Sequence, residues 1–377
     1  MSRISRSPSF VATLSGLIAA AALVAGCGLF SNPPAPTATG PAATPTFGPG
    51  PTATPRSATP APTNPVGTIV LISAVGEAED GTPSALAWQG VQDAAGQLGA
   101  SPKLVTPTSM AEVTAGVKKA ADEGTTVVVT VGPEAAQAIL DNAGDHAATQ
   151  FFELDQAIRD GAPSNVHGIV FDEAEAGYLA GFVAASVSQT DTIGMVGFTT
   201  TDVRTANYVN GFKNGATDAN PAVATKVAYA NRSKDPQAGR AATDSLVKGK
   251  ADVVLAMSDF TGAGAMREAC AQKVTVVALD TDASLALPDV EPCLLVTVLK
   301  RYDVAVRDAI LRYAAMDPLP APIMADVASG GISLSGFHKP MPTGFDGRLA
   351  GLLAAMRNGP PRPTPTPAPT PKAAPTT

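Results

Sequence analysis

The chain has 377 residues, 45% of them hydrophobic, and a formal net charge of −7. That apolar fraction supplies core for two lobes or domains and excludes wholesale disorder. The acidic balance, with no Lys/Arg block, argues against nucleic acid as a partner. His146, His167 and His338 lie far apart and no Cys/His cluster exists. Neither a metal site nor a His-based catalytic dyad is therefore expected, no cofactor is called for, and an enzyme is not the expected class.

In chain order, Arg3 and Arg6 precede an apolar stretch at 10–25. It is short for a bilayer span, which needs about 20 residues, and suits a secretory signal peptide. The stretch closes on Val24-Ala25-Gly26-Cys27, which resembles a bacterial lipobox. The expectation is a signal peptide over 1–26 and lipidation of Cys27, placing the protein on the extracytoplasmic face of the cell membrane. An ordinary signal peptide with an incidental Cys is the alternative. Residues 31–66 hold 11 of the 34 prolines and 359–377 hold another 8. A Pro/Thr-rich tether over 27–66 and a disordered tail over 359–377 follow, since neither can bury a core. Both are nearly uncharged. The segment between them, 67–358, carries 21 basic and 33 acidic residues, a net of −12.

Within 67–358, apolar runs alternate with amphipathic stretches. Strands are expected at 68–73, 103–106, 125–131 and 150–154, with helices at 84–98, 110–123 and 133–143 between them. A second series places strands at 168–171, 192–196, 223–229, 251–256, 274–279 and 294–299. Its helices fall at 173–187, 203–218, 237–248, 262–270 and 302–315. Strand–helix alternation predicts α/β lobes with parallel sheets covered by helices. Lobe 1 is expected at about 67–165 and 300–320, and lobe 2 at about 166–299 and 321–340. Ligands of open α/β sheets bind beyond the carboxyl ends of the strands. The polar residues there include Asp155, Asp202, Thr261, Gly262, Asp280, Asp282 and Lys300. The acidic loop holding Glu77, Glu79 and Asp80 lacks EF-hand spacing and reads as solvated.

Seven segments follow one another in a recognisable order: Glu173–Gly181 (EAEAGYLAG), Asp235-Pro236 with Gly239, GKADVV at 249–254, Thr261-Gly262-Ala263-Gly264, Leu279-Asp280-Thr281-Asp282, LKRYDVAV at 299–306, and Gly330-Gly331-Ile332-Ser333-Leu334. Together they resemble the basic membrane protein family of bacterial lipoproteins, over about 67–357. The resemblance implies a two-lobed type I periplasmic-binding fold with three crossovers between lobes. It also implies a nucleoside-type substrate-binding protein, a monomer working with the permease and ATPase of an ABC importer. A ligand-sensing or structural surface lipoprotein with an altered cleft is the alternative.

The resemblance places Asp280, Gly262 and Lys300 around a ribose, with Thr261, Asp282, Ser84 and Asp202 as further ligand candidates. Each has a plainer reading: Asp280 and Asp282 as turn or cap residues, Lys300 as a surface lysine, the T-G-A-G segment as a tight turn. The family's two base-stacking aromatics are Pro83 and Ser233 here. Tyr208 and Phe260 are the aromatics placed to substitute, and Trp88 reads as core. Cys270 and Cys293 are expected either to pair, as cysteines of exported proteins often do, or to remain buried thiols.

Overall fold

The computed structural model describes residues 63–76, 81–158, 161–232 and 234–359. The signal peptide, Cys27, most of the tether, the tail, the acidic loop at 77–80 and Ser233 lie outside the described residues.

The first lobe begins with β1 (Thr68–Ile72), α1 (Pro83–Leu98), β2 (Ser101–Val105), α2 (Met110–Asp122) and β3 (Val127–Val131). A short 3-10 turn then leads into α3 (Ala136–Ala143), β4 (Gln150–Leu154) and β5 (Val166–Phe171). Local chemistry explains the edges. Thr82 caps α1 by accepting the Ala85 N–H, Pro83 sits in the first turn, and Gly99 ends the helix in the left-handed conformation. All five residues of β3 (VVVTV) are buried, as a central parallel strand covered on both faces requires.

The second lobe runs through α4 (Glu173–Val187), β6 (Thr192–Gly197), α5 (Val203–Ala219), β7 (Ala224–Tyr229), α6 (Pro236–Lys248) and β8 (Val253–Met257). It continues with α7 (Phe260–Ala271), β9 (Thr275–Asp280), α8 (Ala283–Ala286) and β10 (Leu294–Lys300). The chain then makes α9 (Tyr302–Ala314), β11 (Ile323–Ala325), β12 (Ile332–Leu334) and α10 (Phe345–Asn358).

The sheet orders are β11-β5-β4-β3-β1-β2 and β12-β10-β9-β8-β6-β7, the same winding twice. Every pairing is parallel except β10 with β12. The expected two-lobed α/β architecture is thus present. Two boundaries differ. Residues 166–171 were expected in lobe 2, but β5 pairs with β4 in the first sheet. Residues 321–340 were expected there too, but β11 pairs with β5, and only β12 joins the second sheet.

The chain therefore crosses between lobes at Asp172, at Arg301 and between Ala325 and Ile332. The crossings are tied together: Asp172 N–H donates to Ala325 O (3.0 Å), Arg301 N–H to Gly331 O (2.8 Å), and Val327 N–H to the Glu175 carboxylate (2.8 Å).

Helices α4 and α5 pack at unusually close range. α4 is buried over most of its circumference, from Glu173 to Ala185. Gly211 and Gly215 of α5 lie against it, and a Cβ on either would fall under 3.0 Å from the carbonyl oxygens of Ala174 and Tyr178.

Cys270, near the end of α7, is joined to Cys293, just before β10, with Cα atoms 5.4 Å apart. A bridge across this sequence separation stabilises by about 3 kcal/mol. C270A/C293A is expected to lose that much in denaturant titration. Alkylation and intact mass should show both cysteines blocked only after reduction. Two free thiols in the oxidised protein would reject the pairing.

Candidate functional site

The carboxyl ends of β4, β9 and β10 bring a charged cluster to the junction of the lobes. Lys300, the last residue of β10, is only 3% exposed. Its ammonium lies 3.0 Å from Asp155 Oδ1 and 3.3 Å from Glu173 Oε1. Asp155 follows β4 of the first lobe, and Glu173 is the first residue of α4. The ammonium also sits 5.2 Å from the centre of the Phe171 ring and 5.8 Å from that of Tyr208. Burial opposes its charge, but Tyr208, Asp155 and Asp280 outweigh burial and push its pKa well above the usual lysine value. Burial raises the Glu173 carboxyl above its ordinary range, and Lys300 draws it part of the way back.

Around this centre, Tyr208 donates to Asp280 Oδ1. Arg204, in the first turn of α5, reaches across to Asp155 Oδ2 at 3.2 Å. Burial works against the Arg204 charge, and Asp155, Asp202, Glu173 and Asp280 more than offset it. Asp155 (φ 60°) and Asp280 (φ 82°) both take left-handed backbone at their strand ends, a conformation aspartate tolerates better than most residues. It turns each carboxylate out of its strand and into the junction.

The expected site residues separate into two groups. Asp280 and Lys300 are in the cluster. Asp202, Asp282, Ser84, Thr261 and Gly262 satisfy local backbone instead. Asp202 caps α5, accepting the Thr205 N–H (2.8 Å) and hydroxyl (2.6 Å). Asp282 caps α8 through Ser284 N–H at 3.0 Å. The Ser84 hydroxyl accepts Ala74 N–H at 3.1 Å, bracing the loop after β1. The Thr261 hydroxyl donates to Arg232 O and accepts from Asp235 N–H, each at 3.1 Å. Gly262, which the resemblance places beside a ribose, donates its N–H to Asp259 Oδ1 at 2.6 Å because Asp259 is the cap of α7. Its lack of a side chain serves packing, since a Cβ would strike Met257 O.

Tyr208 is 1% exposed and offers no stacking face, whereas Phe260 is 68% exposed. Trp88 is half-buried against the core, as its sequence position suggested. Sequence reasoning missed Arg204 and did not assign Glu173 a site role. Glu173 stood in the EAEAGYLAG motif, so its signal was present; Arg204 reads as one more helix-surface charge. Among the described residues no group of three or more His, Cys, Asp or Glu is placed to hold a metal ion.

The family described as ABC transporter substrate-binding protein, PnrA-like, matches residues 68–341. The chain belongs to this family. It is 26% identical over 182 residues to the ABC transporter nucleoside-binding protein BmpA of Lactococcus lactis. That alignment covers 46% of this chain and 51% of the relative, so the chain spans about half the relative's length. It is 25% identical to the CD4+ T-cell-stimulating antigen of Listeria monocytogenes, over 66% of this chain and 74% of that protein. An ABC transporter solute-binding protein of Conexibacter woesei superposes with a TM-score of 0.64 at 21% identity, over 79% of this chain and 99% of the other, a likeness of fold.

Proposed function

We propose that the protein is the lipid-anchored, extracytoplasmic solute-binding component of an ABC importer, and that its ligand is a small polyhydroxylated solute such as a nucleoside or sugar. One observation carries this reading: Asp155 from one lobe meets Lys300 and Arg204 from the other at the strand ends, with Asp280 held beside them by Tyr208, next to three chain crossings. Carboxylates that accept two hydrogen bonds suit vicinal hydroxyls. Four carboxyls (Asp155, Glu173, Asp202 and Asp280) act on the Arg204 charge, with Lys300 the second cation there, and this excess of acid disfavours phosphorylated solutes. Family membership and the nucleoside-binding relative support the transport role, with a permease and ATPase as partners and the chain acting as a monomer. Attachment through Cys27 would secure it to the membrane by more than one acyl chain.

A thermal-shift and calorimetric screen against nucleosides, nucleoside 5′-phosphates, pentoses and hexoses tests this. A binder at 100 times its Kd stabilises by about 2.7 kcal/mol. A nucleoside or sugar should shift the melting transition and a 5′-phosphate should not. Asp280→Ala should weaken the hit at least about tenfold, the loss of one charge-assisted hydrogen bond. Unchanged affinity in Asp280→Ala would remove Asp280 from the site, and silence toward every nucleoside and sugar would remove the reading.

A further inference from the structure

The strand order of the second lobe sets its ligand edge out as a row. Passing from β10 through β9 and β8 to β6, the strand ends carry Lys300, then Asp280, then Met257 with Asp259 and Phe260, then Gly197 with Phe198. At about 4.8 Å per strand, the row is roughly 14 Å long. It changes character along its length. The β10 and β9 end is charged, with both groups held by other residues of the junction. The β8 and β6 end is apolar with one carboxyl in it. There a shallow, open indentation of the surface is lined by Phe198, Met257, Asp259, Thr261 and Gly262 among others. Phe260, between two lining residues in sequence, is 68% exposed, and Phe198 is half-buried.

Thr261 and Gly262 have their polar groups engaged within the protein, as described above, so the wall offers apolar surface and the Asp259 carboxyl. Asp259 receives the Gly262 N–H, which leaves a carboxylate further acceptor capacity. Mostly apolar walls with one oriented polar group are the usual make-up of a small-molecule subsite. A phenyl ring in the wall beside an acceptor, with the exposed Phe260 next to it in sequence, matches a flat ring with an N–H on its edge.

We propose that Phe198, Met257 and Phe260 around Asp259 form an aromatic subsite on the second lobe. It takes the planar heterocycle of a two-part ligand whose hydroxylated part reaches Asp280. This rests on the reading of the lobe junction as the solute site. It assigns ring recognition to side chains just after β6, at the end of β8 and at the start of α7, where the loop after β1 and position 233 supply no aromatic.

Calorimetry with guanosine and with free ribose tests it on the wild-type protein, F198A, F260A and F198A/F260A. Stacking of a base on an aromatic side chain is worth about 1–3 kcal/mol. The double variant should therefore lose roughly 5- to 150-fold in guanosine affinity and less than about twofold in ribose affinity. An unchanged guanosine-to-ribose ratio overturns the subsite. Wild-type protein that binds ribose and not guanosine overturns the subsite and leaves the cleft reading standing. Protein that binds neither overturns both. A second readout avoids truncation. Trp88 is the chain's single tryptophan, so W88F/F260W carries one indole at the subsite. Guanosine should quench its fluorescence and ribose should not, and no response to guanosine at saturation counts against stacking at this position.

Discussion

Lys300→Met is expected to destabilise the protein by about 3–5 kcal/mol, the usual cost of removing one partner from a buried ion pair. On a domain of this size the melting temperature should fall on the order of 5–10 °C. The ammonium is 3% exposed and serves both Asp155 and Glu173. Without it, two carboxylates face each other at the junction with Arg204 as the remaining cation. The loss should depend on pH in a definite sense. Burial already raises the Glu173 carboxyl and Lys300 opposes that, so removing Lys300 raises it further. A carboxyl whose folded-state pKa lies above its unfolded value stabilises below the unfolded value and loses that contribution as pH climbs through the folded one. Lys300→Met should therefore regain stability relative to wild type as pH drops from 7 toward 5. K300M/E173Q should recover part of the loss and most of the pH dependence should vanish. Denaturant titrations at several pH values check this, and a Lys300→Met protein as stable as wild type at pH 7 would contradict the buried-pair account.

Gly215→Val should cost a comparable amount, about 3 kcal/mol, for a steric reason. A Cβ at Gly215 would fall under 3.0 Å from Tyr178 O on α4, and that atom is backbone, which has no rotamer to change. The two helices must separate, and overpacking of this kind costs about 1–3 kcal/mol or more. The helix-propensity gain over glycine is only a fraction of a kcal/mol for a β-branched residue. Gly347→Ala on α10 is the matched control, because nothing lies within 4 Å of its would-be Cβ. It should be neutral or stabilise by up to about 1 kcal/mol. Equal behaviour of the two variants would show that close packing of α4 and α5 is not what Gly215 provides.

The alternating apolar runs made the regular strands legible. The run over 125–131 announced β3 because a strand buried on both faces has no polar alternation to disguise it. The elements that escaped were of two kinds. β11 and β12 are three residues each, too short for any periodicity. α10 starts at Gly344 without a side-chain cap and carries Gly347 and Gly351, so its local signals are weak. The lobe boundary near 166 failed for a different reason. β5 looks locally like the first strand of a new series, and nothing in its residues records that its partner is β4.

In the site, strand-end position and motif together found Asp280 and Lys300. They could not separate these from Asp202 and Asp282, because a capping aspartate and a binding aspartate occupy the same place at a strand-to-helix turn. What divides them is the partner: Asp280 meets Tyr208, 72 residues away in the chain, whereas Asp202 and Asp282 bond within three residues of themselves.

The three crossings lie on one flank of both sheets, beside β5 and β11 in the first lobe and β10 and β12 in the second. A hinge on that flank would make each sheet a lever, with the end of β10 close to the fulcrum and β9, β8 and β6 at successively longer arms. A rotation of the lobes about it would change the Lys300–Asp155 separation least and carry Phe198 through the largest arc of the four strand ends. The contacts that would register such a motion are those farthest from the crossings.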